Sequence, residues 1–99
     1  KGDLTGAIES YQRAIKINPD YAEAHNNLGA AFQQKGNLAS AIKNYYSATK
    51  ITPNHAESHQ NLANALLMNG DLAAAIKSYK HSLKIMPDLP EVHSNLGVA

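Results

Sequence analysis

The chain has no cysteine, no tryptophan and a single phenylalanine. Without cysteine there is no disulfide framework and no thiolate to hold a metal or attack a substrate. This suits a reducing compartment, so a cytoplasmic location is expected. No apolar run approaches the ~18 residues needed to span a membrane. The opening KGDLTGAIES lacks the apolar core of a secretory signal. Charge of one sign is also missing. Nine Lys and Arg face eight Asp and Glu, for a formal net charge of +1. A general nucleic-acid binder is expected to be basic, so nucleic acid is not an expected partner. There is no strand-like alternation, no Gly-rich phosphate loop and no Ser/His/Asp or Cys/His set. Catalysis within these residues is not expected, and no cofactor is implied.

What the chain does have is a period. Gly2, Gly36 and Gly70 stand 34 residues apart, as do Pro19, Pro53 and Pro87. The same step links His25, His59 and His93; Asn27, Asn61 and Asn95; Leu28, Leu62 and Leu96; Ala7, Ala41 and Ala75; and Tyr11, Tyr45 and Tyr79. A fixed period in this range marks a solenoid or array, in which each unit buries its apolar face against the next. Residues 22–55 and 56–89 read as full units, 1–21 as the second half of one, and 90–99 as the start of another.

These residues carry a resemblance. A bulky residue, Leu-Gly, an aromatic, Ala, Tyr, Ala and Pro follow at set offsets in His25, Leu28, Gly29, Phe32, Ala41, Tyr45, Ala48 and Pro53. They recur in His59, Leu62, Ala63, Leu66, Ala75, Tyr79, Ser82 and Pro87. The pattern resembles the tetratricopeptide repeat, with His where that family often has Trp, and with Ala63, Leu66 and Ser82 as departures. The resemblance implies an all-α solenoid of antiparallel helix pairs wound into a right-handed superhelix. It also implies a noncatalytic scaffold for protein–protein interaction. In the family the first helix of each pair lines a concave groove and the second lies outside.

Local signals place the helices. Asp3 is an expected N-cap for a helix ending at Ile17, with Leu4, Ala7, Ile8, Tyr11, Ala14 and Ile15 at helical spacing. Asn18-Pro19-Asp20 stops it. Asp20 is expected to cap a helix over about 22–34, with Glu23 three residues later as in a capping box. Gly36 is free to take the positive φ of the following turn. Asn37 caps Leu38–Ile51. Asn54, with Glu57 three later, is expected to cap Ala56–Met68. Leu72–Ile85 follows Gly70-Asp71, and Asp88 is expected to cap a last helix beginning near Pro90. Gly29, Ala41, Ala63 and Ala75 are expected to let helices approach closely, with Leu28, Ile42, Leu62 and Ile76 filling the seam.

Candidate sites follow from these faces. His55 and His59 lie four apart in HAESH, but the glutamate is not adjacent to the first histidine as a zinc-protease motif requires, and a third ligand is lacking. His59 is instead a repeat position, so packing is expected and no metal. Asn27, Asn61 and Asn95 form a ladder on the first-type helices, extended by Asn26, Gln33, Gln34, Gln60, Asn64 and Ser94. Leu67 and Met68 add an apolar spot. An Asn amide both donates and accepts, so it can hold a peptide backbone whatever the side chains. Such ladders resemble those in the tetratricopeptide arm of O-linked N-acetylglucosamine transferases; Asn is also frequent at that position of the repeat. Chaperone-binding relatives hold a terminal carboxylate with Lys, Asn, Asn, Lys and Arg. Here the matching positions are Asn26, Ala30, Asn61, Glu91 and Asn95, a set that would repel it. The second-type helices carry Arg13, Lys16, Lys43, Lys50, Lys77, Lys80 and Lys84 against Glu9, which reads either as a solvated face or as a contact for an anionic surface.

The expected function is to bind an extended segment of a protein or peptide partner in the groove. One alternative is the substrate-recognition arm of a larger enzyme such as a glycosyltransferase. Another is self-assembly: Leu4, Ile8 and Tyr11 at one end and Val92, Leu96 and Gly97 at the other are expected to expose apolar faces that stack head to tail.

Overall fold

The structure, a computed structural model, describes residues 4–86. These form five helices: α1 Leu4–Ile17, α2 Ala22–Lys35, α3 Leu38–Ile51, α4 Ala56–Met68 and α5 Leu72–Ile85. No strand occurs among the described residues. Each helix packs against its neighbours in the chain, most closely as the pairs α2–α3 and α4–α5, and α2 also meets α4. First-type helices therefore lie beside one another, as a stacked array requires. Asp3, Asp88, the helix expected from Pro90, and the expected site residues Val92, Asn95, Leu96 and Gly97 lie outside the described residues.

Two apolar clusters hold the stack. The larger joins Ala41, Tyr45, Leu62, Ala63, Ala65, Leu66, Ala75 and Tyr79. The smaller joins Ile8, Leu28 and Ala31. Phe32 packs against both, so the one phenylalanine ties α1 and α2 to the rest. Small residues set the spacing. A Cβ on Gly29 would stand 2.7 Å from the Tyr45 ring, so the aromatic lies directly on the α2 backbone. In the next pair Ala63 takes the equivalent place and is fully buried.

The turns explain the helix ends. Gly36 and Gly70 have φ of 89° and 85°, a region that side chains disfavour. The Asn37 side chain accepts from the Ser40 amide at 3.3 Å, a working N-cap for α3. Two expected caps are corrected. The N-cap of α2 is Tyr21, not Asp20, and that of α4 is His55, not Asn54; neither makes a side-chain cap bond. The reason is visible at Asn18, whose side chain accepts from the Asp20 amide at 3.3 Å and whose carbonyl accepts from the Tyr21 amide at 3.1 Å. The turn closes on Asn18, so the capping position falls on Tyr21, one residue later than expected, while the helix begins at Ala22 as expected. A third correction concerns the end face. Ile8 is not exposed: it is only 7% accessible, packed with Leu28 and Ala31, and Leu4 and Tyr11 are half-buried against the same cluster. α2 covers the apolar stripe of α1.

Candidate peptide-binding groove

A histidine fixes the geometry of each first-type helix. His25 Nε2 lies 3.1 Å from the Pro19 carbonyl, and His59 Nε2 lies 2.8 Å from the Pro53 carbonyl. A carbonyl can only accept, so both rings carry a proton on Nε2 and donate to the turn before their helix. The structure adds a tether to the packing role expected from the repeat. His59 also lies 5.1 Å, centroid to centroid, from His81. His55 Nδ1 is 2.9 Å from the Ser58 hydroxyl. No group of three or more His, Asp or Glu among the described residues is placed to hold a metal ion.

Between α2 and α4 the stack opens into a groove of about 710 Å³. Asn26, Asn27 and Asn61 line it, together with Glu23, Glu57 and His55. Asn27 is exposed and Asn61 half-buried. Asn26 donates through Nδ2 to the buried Ser58 hydroxyl at 2.9 Å, bridging α2 to α4, while its Oδ1 is shielded and has no partner among the described residues. The structure thus brings three of the expected ladder residues together. The other described ones are not among the residues lining the groove. Gln33 accepts from the Tyr45 hydroxyl at 2.9 Å and donates to the Met68 sulfur at 3.1 Å. Asn64 accepts from the Tyr79 hydroxyl. Leu67 packs against the larger apolar cluster, Gln60 is half-buried, and Gln34 and Met68 are exposed. Burial pushes the Tyr45 phenol above its ordinary pKa, so it remains a hydroxyl donor.

Sequence reasoning left out Tyr45, Thr52 and His55, which also line the groove. Tyr45 belongs to a second-type helix, and its ring lies directly against Gly29. His55 was legible as the residue just before a first-type helix. The groove is acidic: Glu23 and Glu57 are both exposed, and among the described residues no Lys or Arg lines it. With Tyr21 and His55 as N-caps, the two glutamates occupy the second helical position rather than the third, so neither closes a capping box.

The chain belongs to the tetratricopeptide repeat family. A tetratricopeptide repeat model matches residues 20–88, more than half the chain, and a second repeat model of the same kind matches residues 1–36. Among solved structures, it is 33% identical to a mutant of the Thermobaculum terrenum O-GlcNAc transferase, with a TM-score of 0.87, over 98% of this chain and 19% of that one. It is 25% identical to MamA, with a TM-score of 0.92, over 98% of this chain and 57% of that one. The first tetratricopeptide domain of Spaghetti (RPAP3), solved with an HSP90 peptide, shares the fold at 19% identity and a TM-score of 0.90, over 94% of this chain and 74% of that one. The chain therefore spans about a fifth of the transferase and little more than half of MamA. Comparison with curated proteins finds no match. The fold is an all-α tetratricopeptide solenoid, and its general role is that of a protein-interaction scaffold. No helix among the described residues is long and apolar enough to cross a membrane.

Proposed function

We propose that the concave groove binds an extended segment of a partner protein through backbone hydrogen bonds from Asn27 and Asn61. The observation that supports this most is their position: equivalent residues of successive repeats lining the same groove, Asn27 exposed and Asn61 half-buried. An amide that donates and accepts at once can pair with a peptide unit as another backbone does. Asn26 is already committed to Ser58 through its Nδ2, so it contributes to the floor rather than to the ladder.

The test is a peptide selected on the intact protein from a random display library, then titrated by fluorescence anisotropy. Asn27→Ala with Asn61→Ala should weaken it by ~1–3 kcal/mol while the circular dichroism spectrum stays helical. Unchanged affinity refutes the ladder. A second reading rests on the likeness to the transferase: the groove presents a substrate segment to a catalytic domain elsewhere in a longer protein. It predicts that the same double substitution, made in that longer protein, slows modification of protein substrates more than of short peptides.

A further inference from the structure

We infer that the segment held in this groove carries a basic side chain, lysine or arginine, seated between Glu23 and Glu57. The inference rests on the peptide-groove reading and adds the chemistry of the partner to it. Three observations support it. First, charge is segregated by face: Glu23 and Glu57 line the groove, while Lys43, Lys50, Lys77, Lys80 and Lys84 are exposed on α3 and α5 and none of them lines it. Second, neither carboxylate is ion-paired with or hydrogen-bonded to a described residue, and neither closes a capping box. Third, the donors of the groove floor at Asn26, Tyr45 and Thr52 are engaged within the protein. The Asn26 Nδ2 is spent on Ser58, and the Tyr45 and Thr52 hydroxyls are spent as donors on Gln33 and on the Ala48 carbonyl. An ammonium or guanidinium group is all donor, so it suits two carboxylates above a floor whose donors are engaged. The same arrangement disfavours an acidic segment, whose carboxylates would face Glu23 and Glu57.

The test uses three end-blocked, dye-labelled peptides with one Ser- and Thr-rich backbone, differing only in two central residues: lysine, norleucine or glutamate. Each is titrated at low and at physiological salt against the unaltered protein, Glu23→Gln/Glu57→Gln, Asn27→Ala/Asn61→Ala, and Glu9→Gln as a control on α1. The lysine peptide should bind about tenfold more tightly than the glutamate peptide at low salt, with the norleucine peptide between them. The preference should shrink with salt, because exposed charges are screened. It should vanish in Glu23→Gln/Glu57→Gln and persist in Glu9→Gln. Equal binding of all three peptides, weakened by the Asn changes, would overturn the charge preference and leave the groove reading standing. A lysine preference that survives Glu23→Gln/Glu57→Gln would also overturn it, since the cation would then sit elsewhere. Failure of all three to bind, or binding indifferent to the Asn changes, would overturn both.

Discussion

At the scale of single residues, two glycines do different work. Gly29 is required by its neighbour: an added Cβ meets the Tyr45 ring at 2.7 Å and 2.8 Å. That ring is tethered by its hydroxyl to Gln33, so it cannot swing away freely. Gly36 is required by its backbone: φ is 89°, yet nothing lies within 4 Å of an added Cβ. Gly29→Ala should cost ~1–3 kcal/mol through overpacking. It should also disturb the ring, seen as a change in tyrosine near-ultraviolet circular dichroism. Gly36→Ala should cost about 1 kcal/mol through strain alone and leave that signal unchanged. Thermal or urea unfolding gives both values, and equal spectral effects would contradict the distinction. The histidines show what the repeat could not tell. Their 34-residue spacing marked them as structural, but the partner of each ring is a proline carbonyl in a turn. Main-chain carbonyls leave no trace in a residue pattern.

At the scale of elements, the helices were legible because two signals agreed: apolar spacing within each helix, and the same spacing one repeat later. Expected and observed limits coincide for Leu38–Ile51, Ala56–Met68 and Leu72–Ile85. α2 runs one residue further than expected, to Lys35. The caps were less legible, because Asp20 and Asn54 suit a cap by chemistry and only the path of the turn excludes them. The groove was legible in part. Positions one repeat apart take the same place on equivalent helices, and Asn27 and Asn61 line one groove. What could not be read was competition among polar groups. The Tyr45 and Tyr79 hydroxyls reach Gln33 and Asn64, and Ser58 takes the Asn26 amide. At this scale the pair α4–α5 is the test of packing. Leu62 is 2% exposed within the larger cluster, so Leu62→Ala should cost ~2–5 kcal/mol in urea unfolding. Ile42→Ala, at a half-buried position, should cost less. The reverse order would mean that the core lies elsewhere.

At the scale of the whole molecule, the chain is a layered object with two unlike faces. α2 and α4 present amides and carboxylates to a groove, and α3 and α5 present lysines to solvent. The packed stack places Asn27 and Asn61 at repeat-related positions in the absence of a partner. That lowers the ordering cost a flexible binder would pay. The central claim is that binding occurs on the concave face. The most direct measurement is a backbone-amide NMR map of the protein, recorded with increasing amounts of a peptide selected on it. The account predicts that shifts concentrate in α2 and α4, along the faces that carry Glu23, Asn27, Glu57 and Asn61, with α3 and α5 changing little outside Tyr45. Shifts concentrated instead around Lys43, Lys77 and Lys84 would place the binding surface on the other side and contradict it.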